Sequence, residues 1–387
     1  MFKIQTLNNI SQLGLDKLPK DKYQIADEQA TPDAIILRST KIHDMDFPDS
    51  LKAVGRAGAG VNNIPIEKLA NMGIPVFNAP GANANAVKEL LIGGLLIASR
   101  NLYDAIDYTE NLEGGDEELS KAVEAGKKKY AGSELPGKTI GVVGLGAIGR
   151  MVANVCLDLG MNVVGFDPAL TVEGAWALSS KVQRIDSVDK MLPKVDFLTV
   201  HVPLIDATRD MLNADNIGLM KSSATVLNLA RGGITNDDAI CDALDRGALH
   251  AYITDFPTNR TKKCEKTVNL PHLGASTAEA EDNCAVMVAN QLMDYLENGN
   301  IINSVNFPNA TLPRGTDYRL TVANINVPNM VGQISTAMAD ADLNIQEMIN
   351  QSRGDIAYTI VDVDSEIPNS VLETISNIDG VMMARLI

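Results

Sequence analysis

Thr139-Ile140-Gly141-Val142-Val143-Gly144-Leu145-Gly146-Ala147-Ile148-Gly149 is the stretch that decides the fold of this chain. An apolar run of strand length closes on three glycines spaced GxGxxG at 144, 146 and 149. Behind them Ile148, Val152, Val155 and Leu159 recur at helical spacing. A strand that turns on glycine into a helix opens a doubly wound parallel sheet. Gly144 permits the tight turn, Gly146 lets a pyrophosphate approach the backbone, and Gly149 lets helix and strand pack closely. The helix start, at Ala147 and Ile148, offers free N–H groups and a positive dipole end to those phosphates. Asp167 follows Gly149 by 18 residues, at the end of the next apolar run. A carboxylate there accepts from both ribose hydroxyls and repels a 2′-phosphate, so the site reads as one for NAD.

Downstream, residues 162–166, 197–200, 225–229 and 251–254 are further apolar runs separated by helical patterns. With 139–143 they make a doubly wound α/β sheet. Upstream, residues 4–7, 34–37, 53–55 and 74–77 form a second series of strands. A long helical stretch follows from Ala84 to Leu112, then a solvated, charged segment over 113–129. Ser276-Thr277-Ala278-Glu279 is a capping-box pattern with Ser276 as the cap. Its helix carries Ala285, Ala289, Leu292 and Leu296 on one face, and Gly299 is placed to end it. Residues 303–317, rich in Asn, Pro and Thr, read as a linker. The last seventy residues alternate as βαββαβ, the ferredoxin-like order. The expected domains are therefore 1–94 with a return segment 275–307, a dinucleotide domain 95–274, a linker 308–317 and a small domain 318–387.

Composition narrows the function. The 387 residues carry a formal charge of −16, and no basic run exceeds Lys127-Lys128-Lys129. Nucleic acid is therefore not an expected partner, and an anionic substrate needs a few local cations. With 45% apolar residues the chain buries real cores, yet no stretch is long enough to span a membrane. MFKIQTLNNI lacks the shape of a signal peptide, and four cysteines without a CxxC pair suggest neither zinc nor disulfides. The expectation is a cytoplasmic protein with reduced thiols and no metal site.

Two patches stand at strand ends, where open α/β sheets bind ligands, and a third runs straight into the capped helix. They are Val200-His201-Val202-Pro203-Leu204, Asn228-Leu229-Ala230-Arg231-Gly232-Gly233 and Leu270-Pro271-His272-Leu273-Gly274-Ala275-Ser276-Thr277. Together with GRAGAGVNNI at 55–64 and NAPGANANAVKE at 78–89, they resemble the D-2-hydroxyacid dehydrogenases over about residues 1–307. The resemblance implies hydride transfer between C4 of a nicotinamide and C2 of the substrate. It implies Arg231 as the fork that holds the substrate carboxylate and polarises the carbonyl, and His272 as the acid/base. The cofactor would meet Gly144, Gly146, Ala147, Ile148, Gly149, Asp167, His201, Val202, Pro203, Leu229, Ala230, Arg231, Asp255, His272 and Gly274. One departure stands out. The family places a glutamate about five residues after the aspartate matched to Asp255, as partner to the histidine. Here Asp255-Phe256-Pro257-Thr258-Asn259-Arg260 holds none.

Backbone N–H groups of Gly58-Ala59-Gly60 suit a carboxylate. Arg38 and Ser39 follow a strand end, a cluster of Arg38, Lys41 and Arg56 suits a phosphate, with Lys41 the one that reads more readily as a surface cation, and Asn83 sits in the second substrate loop. Residues 318–387 resemble an ACT domain, a small amino-acid-sensing module. Its serine-binding positions match Asn326 and Asn344, while Asn324 stands where such domains carry histidine. A family member ending in this module implies NAD-dependent oxidation of 3-phospho-D-glycerate to 3-phosphohydroxypyruvate, the first step of L-serine biosynthesis. Alternatives are another D-2-hydroxyacid (glycerate, lactate or 2-hydroxyglutarate) and a non-catalytic NAD(H)-binding regulator. The resemblance also implies a homodimer or homotetramer.

Overall fold

The structure is a computed structural model and describes residues 1–387. The chain divides into two compact units, residues 1–83 with 278–387, and residues 84–277. The second crossing, at 277/278, lies near 275, and the first lies at 83/84, not near 95. The reason is the helix Ala84–Ser99, which runs unbroken through residue 95. Its Leu91 and Leu95 belong to the core of the second unit, and Gly94 lets it seat against Leu227 and Ile253.

In the first unit, β1 (Phe2–Leu7), β2 (Tyr23–Ala26), β3 (Ala34–Leu37), β4 (Ala53–Arg56) and β5 (Val76–Phe77) form one sheet. All its pairings are parallel and its order is β2-β1-β3-β4-β5, the flavodoxin-like order. β3 is buried along its whole length, as a central strand covered on both faces must be. β2 is a short edge strand, only partly buried, and its sequence carries no strong period. The helix Ala278–Asn298 packs on this sheet, with Val288 and Leu292 against Gly55.

In the second unit, β6 (Thr139–Val143), β7 (Asn162–Phe166), β8 (Gln183–Arg184), β9 (Phe197–Val200), β10 (Thr225–Asn228), β11 (Ala251–Thr254) and β12 (Thr267–Asn269) form a parallel sheet. Its order is β12-β11-β10-β9-β6-β7-β8, which reverses direction between β6 and β9. That reversal is the switch point of a Rossmann sheet. The expected single helix over 84–112 is two helices, Ala84–Ser99 and Leu102–Glu110. Asn101 between them has φ +50, a left-handed residue that a continuous helix excludes. The charged segment that follows folds as the helix Asp116–Gly126, which buries no residue.

The last sheet, again in the first unit, comprises β13 (Tyr318–Ile325), β14 (Ile345–Arg353), β15 (Ile356–Val363) and β16 (Val381–Leu386). It is antiparallel in the order β14-β15-β13-β16, the ferredoxin-like arrangement, with helices Met330–Ala339 and Asn369–Ser376. Leu320, Val322, Ile334, Val361 and Ile375 make its own core. Ala323, Tyr358 and Ile360 instead join the core around Val288 and Tyr295 of the long helix. Four successive carbonyls at the end of that helix accept side-chain donors from the C-terminal residues. Arg385 Nη2 reaches Leu296 (3.1 Å), Arg314 Nη1 Glu297 (3.0 Å), Arg319 Nη1 Asn298 (2.8 Å) and the Tyr358 hydroxyl Gly299 (2.8 Å). Three guanidinium groups at the negative end of a helix dipole give a favourable anchor.

Two local expectations are corrected. The Asn-, Pro- and Thr-rich pattern over 303–317 does not act as a linker from its start, because Asn306, inside the return segment 275–307, bonds to the first sheet. Its Oδ1 accepts the Val76 N–H (2.8 Å), its Nδ2 donates to the Ile74 carbonyl (2.9 Å), and Phe307 is fully buried. Ser276 is not the helix cap, since the helix begins two residues later and the Ser276 hydroxyl donates to the His272 carbonyl (3.4 Å). No helix is long and apolar enough to cross a membrane. No group of three His, Cys, Asp or Glu side chains is arranged to hold a metal ion, and all four cysteines are buried free thiols.

Candidate active site

Five neighbouring strands of the second unit end in the residues of interest. In sheet order these are Asp255 after β11, the 229–233 loop after β10, His201 after β9, the glycine loop after β6 and Asp167 after β7. The three glycines divide their tasks as their spacing implies. Gly144 has φ +88 and lies against the His201 carbonyl. A Cβ on Gly149 would run into the Gly144 carbonyl oxygen. A Cβ on Gly146 would meet no protein atom within 4 Å, so the space beside this backbone is open. Gly146 is also the N-cap of the helix Ala147–Asp158 and carries no side-chain cap, which leaves that end to an anion. Asp167 Oδ2 accepts the Leu145 N–H (2.8 Å) and Oδ1 the Ala169 N–H (2.8 Å), which fixes the carboxylate beside the glycine loop. These residues fit a dinucleotide.

The pair Gly146→Ala and Gly149→Ala separates fit to cofactor from fit to fold. Gly146→Ala should leave the melting temperature unchanged and weaken NADH binding about tenfold, read by fluorescence titration. Gly149→Ala should weaken binding and also destabilise the protein by about 1–3 kcal/mol, because backbone must move.

His201 closes the β6–β9 crevice. Its N–H donates to the Val143 carbonyl (2.7 Å), its Nε2 pairs with the Thr199 hydroxyl (3.0 Å), and its Nδ1 is buried without a partner. Burial pushes its pKa down to about 4, so the ring is neutral at neutral pH. Val202 is part-buried beside it and Pro203 is exposed. Leu229 is buried, Ala230 is half-buried and Arg231 is exposed. The Arg231 guanidinium makes no ion pair within the protein, and its Nη1 donates only to the Ala230 carbonyl (2.7 Å). Asn228, which sequence reasoning left unassigned, holds this loop. It is buried, its Nδ2 donates to the Arg231 carbonyl (2.9 Å) and the Thr235 hydroxyl (3.3 Å), and Thr235 in turn meets Tyr252 (2.8 Å).

His272 is exposed and sits at φ +50. Its N–H donates to the Asp255 carbonyl (3.0 Å), and its ring packs on Phe256 with centroids 4.7 Å apart. Asp255 is 1% exposed, and its Oδ2 accepts the Gly274 N–H (2.9 Å) while Oδ1 has no partner. Burial raises its pKa, opposed by the Gly274 hydrogen bond and the charges of His272 and Arg231. Asp255 is therefore the carboxylate whose field His272 shares. The loop beyond it is drawn away onto the helix Asp237–Asp245, where Arg260 pairs with Asp238, Asp242 and Asp245 and Thr258 bonds Asp237.

In the first unit, Arg38 and Ser39 follow β3 and Arg56 ends β4. The Asn8 Oδ1, at a residue with φ +79, accepts the N–H groups of Arg38 (3.4 Å), Ser39 (3.0 Å) and Thr40 (2.8 Å). Asn8 was not anticipated, although an Asn just after a strand is a recognisable turn residue. The Arg56 Nε donates to the Arg38 carbonyl (2.9 Å) and its Nη1 to the Gly60 carbonyl. Asn78 Nδ2 holds the Ala59 carbonyl (2.6 Å) and the Ala79 N–H holds that of Gly58 (3.0 Å), so this loop is fixed through its carbonyls. Lys41 is exposed, and the Asn83 Oδ1 is buried without a partner.

The family model for the NAD-binding domain of D-isomer-specific 2-hydroxyacid dehydrogenases matches residues 96–275. D-3-phosphoglycerate dehydrogenase of Haemophilus influenzae is 32% identical over 351 residues, covering 87% of this chain and 81% of that protein. This chain belongs to the D-2-hydroxyacid dehydrogenase family. D-3-phosphoglycerate dehydrogenase of Methanocaldococcus jannaschii is 33% identical over 340 residues, of which this chain spans only 61% of the relative's length. Among solved structures, holo D-mandelate dehydrogenase of Rhodotorula graminis superposes with TM-score 0.68 at 21% identity, covering 81% of this chain and 99% of that one. D-lactate dehydrogenase of Escherichia coli superposes with TM-score 0.60 at 20% identity over 79% of this chain and 100% of that one. At these identities the structures speak for the fold alone. The family is one of oxidoreductases, and NAD is the cofactor of the matched domain.

Proposed function

We propose that this dehydrogenase oxidises 3-phospho-D-glycerate to 3-phosphohydroxypyruvate with NAD. The observation that carries the reading is an unpaired arginine and an exposed histidine at the carboxyl edge of a dinucleotide-binding sheet. The relatives named above and the Arg38–Arg56 cluster supply the choice of substrate. Bound at Gly144–Gly149 and Asp167, NAD supplies a hydride acceptor. The chain's own residues do the rest. Arg231 holds the substrate carboxylate through its planar fork and draws charge toward the C2 oxygen. His272 takes the hydroxyl proton as the C2 hydride leaves, and returns it in the reverse direction. Asn228 positions Arg231, and Asp255 and Phe256 position His272. In the first unit, Arg38, Ser39, Arg56, Ala59, Gly60 and Asn83 are the candidates for the substrate's charged end.

The test is reduction of NAD followed at 340 nm with 3-phosphoglycerate, glycerate and lactate side by side. Turnover confined to the phosphorylated acid supports the reading, and NADH binding without turnover of any of them favours a regulator. Arg38→Ala should raise KM for 3-phosphoglycerate about 10–100-fold, the loss of a charge-assisted contact, and leave glycerate unaffected.

We also read the C-terminal ferredoxin-like domain as an ACT module. Asn326 and Asn344 are exposed and suit an amino-acid effector. Asn324 does not: it is 0% exposed, and its Nδ2 is committed to the Ile325 carbonyl at 2.7 Å. Serine added to the 340 nm assay tests this role. Exposed Leu102, Tyr103, Ile106, Leu119 and Val123 on two helices of the second unit support a homo-oligomer, which sedimentation checks.

A further inference from the structure

Arg38 is not unpartnered. Its Nη2 lies 2.6 Å from Glu281 Oε1, in the first turn of the helix Ala278–Asn298. We propose that Glu281 is a specificity residue: its carboxylate holds the Arg38 guanidinium until a more strongly bonding anion, the substrate's phosphate, displaces it, and its charge sets the affinity for that phosphate. The inference rests on the reading of Arg38 as a phosphate ligand.

Three observations carry it. First, the Arg38 main chain is fixed while its side chain is not. Asn8 holds the N–H of Arg38, and Arg56 and Asn63 hold its carbonyl. The guanidinium has only Glu281, and the two side chains are 39% and 43% exposed. An ion pair that open to water is weak and exchanges readily. Second, Glu281 does not need Arg38. It stands at the positive end of a 21-residue helix, where a carboxylate is favoured by the dipole alone. Third, the Cys284 thiol, one turn along that helix, senses all three charges. Burial raises its pKa first, Arg56 and Arg38 lower it, and Glu281 raises it. The two arginines and the one glutamate therefore share a single patch of the first unit.

A dianionic phosphate binds a guanidinium bidentately and more strongly than a solvated carboxylate does. It would take over Arg38, with the Glu281 charge left nearby as a fixed repulsion. A substrate without phosphate gains nothing from Arg38 and feels little of this. Glu281 thus trades affinity for selectivity, since only a group able to win the exchange benefits from Arg38.

The experiment is Glu281→Gln in the full-length enzyme, with kcat and KM for 3-phosphoglycerate and for glycerate. The expected result is a fall of about threefold to fivefold in KM for 3-phosphoglycerate, the ceiling set by an exposed ion pair. kcat and the glycerate KM should not change, and the effect should shrink in the Arg38→Ala background, where the competition for Arg38 is gone and only the repulsion of the phosphate by Glu281 is relieved. A rise in KM would overturn the proposal, because Glu281 would then be holding Arg38 ready for substrate. An equal fall for glycerate, or no change, would overturn it too. If Arg38→Ala itself leaves the 3-phosphoglycerate KM untouched, the phosphate reading of Arg38 fails. If Arg38→Ala raises KM and Glu281→Gln does not lower it, only the role of Glu281 fails.

Discussion

His272→Asn should lower kcat by about 10²–10⁴-fold, the usual worth of a positioned acid/base. KM and NADH affinity should stay within about twofold, because the ring's contact within the protein is its packing on Phe256 and the proton transfer it serves is felt in the transition state. Asparagine is the right replacement for a structural reason. His272 has φ +50, and Asn tolerates the left-handed region far better than Ala does. The backbone bonds to Asp255 and Leu270 can then persist. His272→Ala should lose the same activity and some stability as well, which separates chemistry from strain. Steady-state kinetics with thermal melting decide it. Retention of a tenth or more of wild-type kcat by His272→Asn would mean that another group moves the proton.

Arg319→Met should cost about 3–5 kcal/mol, because it strands a buried charge. Arg319 and Asp362 are both 0% exposed, and their contact is bidentate at 2.6 and 2.8 Å. The remaining Arg319 donors reach the carbonyls of Asn298, Leu312 and Pro313, so all five are used. Replacing both residues, Arg319→Met with Asp362→Leu, removes the charge and recovers part of the loss. Three carbonyls are still left without their donor, at about 1–3 kcal/mol for each that stays buried and dry. Urea unfolding, with hydrogen exchange in β13 and β15, reads both variants.

The pH dependence follows from the same pair. Burial alone would raise the Asp362 carboxyl, but hydrogen bonds from Arg319 and Gly315 and the Arg319 charge outweigh it and hold it below the usual carboxylate range. Its contribution is therefore full above the unfolded-state value of about 3.9 and is lost as pH falls through the lower folded value. In Arg319→Met burial is opposed only by the Gly315 hydrogen bond and the Arg314 charge, so Asp362 takes up its proton at higher pH and acid unfolding begins earlier.

The second sheet was legible almost residue by residue. β6, β7, β9 and β11 coincide with the apolar runs, since parallel strands buried on both faces leave no other pattern. The edge strands β2, β8 and β12 were not, because short part-exposed strands carry no periodic signal. The break at Asn101 was also missed, for the apolar pattern continues across it. Gly144, Gly146, Gly149 and Asp167 were legible because backbone geometry restricts those positions to few residue types. Asn8, Asn228 and Glu281 were not, since each acts through a partner distant in sequence or through a loop whose shape no local pattern encodes.

By itself, then, the amino-acid sequence determined the two parallel sheets, the C-terminal βαββαβ order, the dinucleotide loop and the family, because periodicity and glycine spacing are local properties. Only the tertiary structure decided where the chain crosses between units, that Ser304, Val305 and Asn306 bond to the edge of the first sheet, that three arginines tie the C-terminal domain to one helix end, and that Glu281 holds Arg38. Those facts rest on hydrogen bonds and ion pairs between residues up to a few hundred positions apart, such as the 243 that separate Arg38 from Glu281, and such pairs leave no trace in any short window of sequence.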